Sequence, residues 1–122
     1  DEMEDFTRPW IEQSPVANKI DFRIGDAAKE APKLGITFDM AFVDGDKRTY
    51  AEVYEKLLPI IRPGGYILAD NTLWDWHVID PAYDHDHQTI GIRQFNDLIA
   101  KDERVEKVIL PLRDGLTLIR KK

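Results

Sequence analysis

Two short apolar segments, each followed by acidic or amide residues, constrain this chain more than any other feature. The first, Phe38–Val43, runs directly into Asp44, and the second, residues 66–69, runs into Asp70 and Asn71. Apolar runs of this length are typical of buried strands in a parallel sheet. Ligands of open α/β sheets bind outside the carboxyl ends of the strands. The sequence therefore predicts an oxygen-rich pocket at that edge.

Strand and helix patterns alternate along the rest of the chain. Apolar residues recur at helix spacing in residues 3–13, 27–34, 49–61 and 87–100. Strands are predicted at residues 20–24, 38–43, 66–69, 105–110 and 116–119. Pro63, Gly64 and Gly65 predict a turn, and residues 71–86 predict a long loop. This order predicts an α/β fold with a mostly parallel sheet.

The pattern also predicts details of the core. The strict alternation in residues 20–24 predicts a strand with one buried face, whereas Phe38–Val43 predicts a central strand covered on both faces. Asp114-Gly115 between the last two apolar runs predicts a hairpin, which adds one antiparallel strand at or near a sheet edge. The aromatic side chains predicted to lie in the core are Phe6, Trp10, Tyr50, Tyr54 and Phe95.

Composition narrows the possible functions. A chain of 122 residues is at most one small domain. A net charge of −6 argues against a nucleic-acid surface, and the absence of cysteine excludes disulfides and thiolate metal sites. No apolar run approaches the roughly 20 residues that cross a bilayer. We therefore expect no nucleic-acid partner, no membrane span and a cytoplasmic location.

The residues at the strand ends suggest a metal site. Two carboxylates and an amide oxygen, from Asp44, Asp70 and Asn71, suit Mg²⁺, Mn²⁺ or Ca²⁺ rather than a soft metal. Lys47 follows three residues after Asp44, and a lysine near a cation can have a lowered pKa and act as a general base. The alternative is that these acids only cap the following helices. Residues 84–87, Asp-His-Asp-His, are predicted to cap and solvate rather than to bind a metal.

Five stretches resemble one family, in the same order. Phe42 to Tyr50 resembles the FVDADKxNY stretch of the cation-dependent O-methyltransferases, the group of the caffeoyl-CoA and catechol enzymes. The other four stretches are residues 20–27 (IxxRxGDA), 58–65 (LLxPGG), 70–74 (DNxLW), and 102–117 (DxRV…LPLxDGLT). The resemblance implies a Rossmann-like class I methyltransferase fold, S-adenosylmethionine (SAM) as cofactor and a catechol-type substrate, which includes a caffeoyl-CoA-like ester.

The resemblance also implies roles for individual residues. Asp44, Asp70 and Asn71 correspond to the ligands of a divalent metal, and Lys47 to a general base. Trp74 corresponds to an aromatic residue near the acceptor.

Cofactor contacts are implied at four positions. Asp26 and Ala27 correspond to residues that contact the adenine, and Asp46 to an acid near the cofactor. Asp44 also belongs to the cofactor-binding set. Members of the family are often dimers, so a homodimer is expected.

Two departures from the family pattern lead to further expectations. The family's glycine-rich cofactor motif and its N-terminal strands are absent. We therefore expect residues 1–122 to be a single partial domain, the C-terminal part of a methyltransferase domain, that binds SAM weakly or not at all. Trp76 stands where the family usually has glycine, which suggests either a reshaped acceptor pocket or packing of the ring in the core or a lid. The alternatives are a nucleotide-dependent dehydrogenase and a non-catalytic domain that completes its sheet with another chain.

Overall fold

A computed structural model describes residues 2–122 as a four-stranded sheet with helices packed on one face. The strands are β1 (Phe38–Val43), β2 (Ile61–Asp70), β3 (Val105–Leu110) and β4 (Leu116–Lys121), in the order β1-β2-β4-β3. β1 and β2 are parallel, and β4 is antiparallel to both β2 and β3. The predicted α/β class is confirmed, and the single reversed strand lies next to the edge, as expected.

Four α-helices accompany the sheet, and each coincides with a predicted helical segment. They are α1 (Glu2–Glu12), α2 (Ala27–Glu30), α3 (Tyr50–Leu57) and α4 (His87–Lys101). Short 3₁₀ turns extend α2 and flank α3. Gly35 ends the α2 segment with a left-handed φ of 65°, a conformation that glycine adopts without steric cost.

The core lies between α3, α4 and the sheet. Tyr50, Tyr54 and Phe95 are almost fully buried. Phe95 meets the rings of Tyr50 and Tyr54 edge to face, with centroids 5.5 and 6.1 Å apart. The core prediction was wrong for Phe6 and Trp10, which are 65% and 67% exposed. Their spacing predicts a helix correctly, but periodicity does not show whether a partner surface is present.

The strand predicted at residues 20–24 is wrong. These residues form no ladder with any strand in the part of the chain that the structure describes, and Ile20 and Ile24 are exposed. Alternation of apolar and polar residues predicts a strand only if a neighbouring strand supplies hydrogen bonds, and none of the four strands pairs with this segment.

The prediction that β1 is covered on both faces is also wrong. Among the strands within residues 2–122, β1 pairs only with β2, and Met40 and Phe42 are 59% and 58% exposed. Ala41 and Val43 pack on the other face against the core. Its apolar run therefore marks an edge strand with one uncovered face, which apolar character alone cannot distinguish from a central strand.

The predicted turn at Pro63 is a bulge inside β2. Phe38 pairs with Ile61 and Met40 with Tyr66, so two steps of β1 match five of β2. A Cβ at Gly65 would lie 2.7 Å from the Asp39 carbonyl oxygen, closer than contact distance. Glycine there lets the two backbones approach, and the strand continues beyond the bulge.

The loop of residues 71–86 contains only 3₁₀ turns, as its lack of periodicity predicts. It ends at Asp86, whose carboxylate caps α4 by accepting from Thr89 N at 2.7 Å. Asp84 pairs with Arg93, which also donates to carbonyl oxygens of the loop. The predicted capping role is confirmed for Asp86, whereas Asp84 forms an ion pair. No helix within residues 2–122 is long and apolar enough to cross a membrane.

Candidate functional site at the strand ends

Asp44 and Asp70 lie side by side at one edge of the sheet. Val43 pairs with Ala69 in the parallel ladder between β1 and β2. Asp44 follows Val43 and Asp70 follows Ala69. Because the two strands run in the same direction, both acids lie at the same end of the strand pair. The structure thus brings together the acids that the sequence places at the two strand ends.

Tyr50 ties the two strand ends to each other. Its hydroxyl oxygen lies 3.1 Å from the carbonyl oxygen of Val43 and 3.0 Å from that of Asp70. The same oxygen accepts a hydrogen bond from Lys47 Nζ at 2.6 Å. Burial raises the pKa of the Tyr50 phenol, so the group keeps the proton that it donates to the strand ends.

Lys47 is a buried cation, 4% exposed. Its Nζ donates to Tyr50 and, at 3.0 Å, to Asp44 Oδ1, and it lies 5.6 Å from the ring centre of Trp74. Burial by itself would lower the pKa of Lys47, but the hydrogen bonds to Tyr50 and Asp44 outweigh it, and the pKa is raised. In this state Lys47 is an ammonium ion rather than a base.

The backbone around Lys47 is held by α4. Gln88 Oε1 accepts from Lys47 N at 2.9 Å. A Cβ at Gly91 would lie 2.5 Å from the Lys47 carbonyl oxygen and 2.6 Å from Arg48 Cα. The absence of a side chain at Gly91 therefore lets the helix pack directly on the turn that carries Lys47.

Asn71 follows β2 in a left-handed conformation, with φ 58°. Asparagine adopts this region more readily than most residues. Its backbone N–H donates to Asp70 Oδ1 at 2.8 Å. Its side-chain Nδ2 donates to both carboxylate oxygens of Asp114, at 2.9 and 3.0 Å.

The β3–β4 hairpin loop holds the segment that follows Asn71. Thr72 N donates to the Gly115 carbonyl at 3.1 Å, and Leu73 N donates to the Asp114 carbonyl at 2.8 Å. Gly115 has φ 94°, and a Cβ there would lie 2.6 Å from the Leu73 side chain. The predicted Asp-Gly turn is thus both a hairpin connection and a support for the strand-end residues.

Trp74 lies beside Lys47, and its ring packs partly against the core. Trp74, Asp75 and Trp76 all have positive φ, at 48°, 50° and 67°. Left-handed backbone favours glycine, which gives a physical reason for the glycine that the family usually has at the position of Trp76.

Asp46 faces solvent and caps the turn that carries Lys47. Its carboxylate accepts from Arg48 N at 3.0 Å and also pairs with the Arg48 guanidinium. Hydrogen bonds from the Arg48 side chain and backbone lower the pKa of Asp46 to about 2. A cofactor contact for Asp46 stays a prediction.

Ala27 lines a pocket that reaches the strand ends, whereas Asp26 caps a helix. Asp26 caps α2 by accepting from Ala28 N at 3.1 Å and pairs with Lys29 at 2.7 Å, and that lysine lowers the pKa of Asp26. Ala27 lines a pocket of about 360 Å³ that reaches Asp44 along the outer side of β1. The structure therefore brings Ala27, but not Asp26, into one cavity with a strand-end acid.

Three supporting residues were missed by sequence reasoning. Tyr50 was predicted only as a core aromatic, Asp114 only as a turn residue, and Gln88 not at all. Tyr50 and Asp114 lie inside stretches that carry the family resemblance, and that was the available signal. Their partners are 20 and 43 residues away, so the contacts themselves were invisible to local patterns.

The donor set fits a hard divalent cation. Asp44, Asp70 and Asn71 supply two carboxylates and one amide oxygen from a single sheet edge. Within residues 2–122 no three or more His, Cys, Asp or Glu side chains cluster in a way that could hold a metal ion. The site at the strand ends contains only two acids, and its third donor is an amide. Mg²⁺ commonly takes few protein ligands, so this set is sufficient for it.

A family model described as O-methyltransferase matches residues 1–122. The chain belongs to this family. Its relatives include tricin synthase 1 of Oryza sativa subsp. japonica, 37% identical over 93% of this chain and 51% of the relative. Caffeoyl-CoA O-methyltransferase of Mesembryanthemum crystallinum is 40% identical over 93% of this chain and 49% of its own length. The chain spans about half the length of the curated relatives it matches.

Solved structures agree with this family. The O-methyltransferase from Bacillus cereus in complex with SAH superposes with a TM-score of 0.87 and 29% identity, over all of this chain and 59% of that one. The SAH-bound Podospora anserina methyltransferase PaMTH1 gives 0.87 and 26%, over 99% of this chain and 57% of that one. The expected Rossmann-like methyltransferase fold is confirmed, and a dehydrogenase gains no support.

Proposed function

We propose that this chain carries the metal and acceptor side of a SAM-dependent O-methyltransferase that acts on a catechol-type hydroxyl. One observation carries the proposal: the buried Lys47 ammonium is held between Asp44 and Tyr50, beside Asp70 and Asn71. Two relatives are a caffeoyl-CoA O-methyltransferase and a tricin synthase, which supports an aromatic hydroxyl as acceptor.

The side-chain oxygens of Asp44, Asp70 and Asn71 would hold Mg²⁺, or Mn²⁺ or Ca²⁺ in its place. When bound, such an ion lowers the pKa of a hydroxyl and orients two adjacent substrate oxygens. The three residues come from neighbouring strand ends, so the sheet itself fixes their spacing.

Lys47 Nζ would take the hydroxyl proton after it has released its own proton to solvent. The hydrogen bond to Asp44 helps to keep the pKa of Lys47 raised, so a cation that engages Asp44 would lower this pKa and favour release of that proton. Tyr50 keeps Nζ at the strand ends during that change, because its hydroxyl is anchored to the carbonyl oxygens of both strands.

Trp74 supplies an apolar wall beside Lys47, where an aromatic acceptor ring can pack and water is excluded. SAM would approach from the side of β1, where Ala27 and Asp44 share a pocket. Asp26 and Asp46 lie at the turns on that side and are proposed to contact the cofactor. Near-attack placement of the two reactants then supplies much of the rate.

The test is methyl transfer from labelled SAM to a catechol and to caffeoyl-CoA by the natural protein, with Mg²⁺ and with EDTA. We expect EDTA to abolish transfer and Asp70→Ala to reduce it at least about 100-fold, since outer partners alone typically cost 10- to 100-fold. Asp75→Asn, an exposed carboxylate nearby, is the control and should retain activity. Activity that neither EDTA nor Asp70→Ala reduces would refute the metal mechanism.

A non-catalytic domain that completes its sheet with another chain is the second candidate. The observation that favours it is the free edge of β1, which pairs only with β2 among the strands that the structure describes. A homodimer formed by the catalytic protein is also proposed. Size-exclusion chromatography with light scattering tests both proposals, because each requires association with a second chain.

A further inference from the structure

The Asn71–Asp114 pair joins two elements that are far apart in sequence. Asn71 follows β2, and Asp114 lies in the loop between β3 and β4. Asn71 Nδ2 lies 2.9 and 3.0 Å from the two oxygens of the Asp114 carboxylate, so one amide nitrogen faces the whole carboxylate. Asp114 is half-buried, and this limits competition from water for the contact.

This contact fixes the orientation of the Asn71 amide. An ionised carboxylate only accepts hydrogen bonds, whereas an asparagine side chain has one donor end and one acceptor end. The amide nitrogen must therefore face Asp114, and the amide oxygen must face away from it. An amide without such a partner can rotate by half a turn and present N–H groups, which repel a cation.

Asp114 is itself held rigidly against the same segment. Its carbonyl oxygen accepts from Leu73 N at 2.8 Å and from Trp74 N at 3.2 Å. Gly115 lies so close to Leu73 that no side chain would fit. The carboxylate therefore approaches Asn71 from a fixed backbone rather than from a mobile loop.

We infer that Asp114 is a positioning residue that turns the Asn71 amide oxygen toward an incoming divalent cation. This inference rests on the metal site of the proposed function. It adds Asp114, a hairpin residue that is not among the predicted site residues. Asp114 does not touch the cation. It acts through Asn71, as outer partners of metal ligands generally do.

The test is Mn²⁺ binding to the 122-residue chain, measured by electron paramagnetic resonance of free Mn²⁺, for the wild type, Asp114→Asn and Asp114→Ala. Both variants remove the same charge, so the difference between them isolates the hydrogen bond. We expect Asp114→Ala to weaken binding about 10- to 100-fold. Asp114→Asn should lose less, because its amide oxygen can still accept from Asn71.

A second readout needs no metal. In ¹⁵N spectra of the metal-free chain, the Asn71 side-chain amide protons should exchange slowly in the wild type and quickly in Asp114→Ala. Asp97→Asn, an exposed carboxylate on α4, removes a charge elsewhere and should change neither readout. Thermal unfolding of each variant shows whether the fold is retained.

The outcomes separate the two proposals. Equal Mn²⁺ affinity in Asp114→Ala and Asp114→Asn, or unchanged affinity in both, would overturn the role of Asp114 and leave the metal site standing. No Mn²⁺ binding by the wild type would overturn the metal site and, with it, this inference. Graded loss with faster amide exchange supports both.

Discussion

Trp76 has a backbone conformation that its side chain does not favour. Its φ and ψ are 67° and 5°, and its side chain is 56% exposed. A non-glycine residue in the left-handed region costs roughly 1–2 kcal/mol. The cost falls next to Trp74 and Asn71, so strain is concentrated where the candidate site lies.

We predict that Trp76→Gly is more stable than Trp76→Ala by about 1 kcal/mol in urea unfolding, because only glycine relieves the left-handed strain. Both variants lose the same ring, so the comparison isolates the backbone. At an ordinary helical position the order is reversed, with alanine favoured by about 1 kcal/mol. The same pair of substitutions at Gln94, an exposed position in α4, provides that control. An alanine variant as stable as the glycine variant would show that Trp76 is unstrained.

Asp102 joins three elements at the end of α4. Its carboxylate accepts from the Tyr54 hydroxyl of α3 at 2.8 Å and from Arg104 N, just before β3, at 2.8 Å. Hydrogen bonds from the Arg104 side chain are the main reason that the pKa of Asp102 lies well below its usual range. Burial of Tyr54 and its bond to Asp102 raise the pKa of that phenol.

This arrangement makes the packing of α3 and α4 sensitive to acid. The pKa of Asp102 is lower in the folded than in the unfolded chain, so its stabilisation is complete above the unfolded value of about 4. It is lost as the pH falls below that value toward the folded pKa. Protonation in this window favours the unfolded chain.

We predict that the free energy of unfolding of Asp102→Asn lies below that of the wild type at neutral pH, by about 1–3 kcal/mol. The gap should stay constant above a pH of about 5 and narrow as the pH falls below about 4, because protonation then stabilises the unfolded wild-type chain relative to the folded one. Urea unfolding at several pH values measures this difference in the free energy of unfolding. Asp97→Asn, on the same helix, is the matched control. A gap that does not change with pH would contradict the assignment.

At the scale of the whole molecule, the part of the chain that the structure describes leaves one face of the sheet uncovered. Phe42, Leu68, Leu118 and Val108 pair in register across all four strands, and Phe42 and Val108 are more than half exposed. The helices α3 and α4 cover only the opposite face. An apolar row of this kind that is exposed to water favours self-association.

We predict that the 122-residue chain self-associates and that Phe42→Lys shifts it toward the monomer, because a charge interrupts the apolar row at the free edge of β1. Size-exclusion chromatography with light scattering measures the mass. Ile79→Lys is the control, since Ile79 is exposed in a 3₁₀ turn rather than in the row. A monomeric wild type, or equal effects of both substitutions, would contradict the prediction.

Local patterns determined most of the secondary structure. The helices, the strands β1 to β4 and the hairpin were predictable because periodicity, turn residues and caps act over a few residues. The neighbourhood of Asp44 and Asp70 was predictable because parallel strands end at one edge. The failures at residues 20–24, Phe6 and Trp10 have one cause, since burial depends on whether a partner surface exists.

The sequence by itself determined the α/β class, the family resemblance and the types of donor at the strand ends. Only the tertiary structure decided that Tyr50 joins the strand ends, that Lys47 is a buried ammonium ion, and that Asp114 orients Asn71. The physical reason is distance along the chain. Hydrogen-bond partners 20 or 43 residues apart are chosen by the packing of whole elements, which no local pattern records.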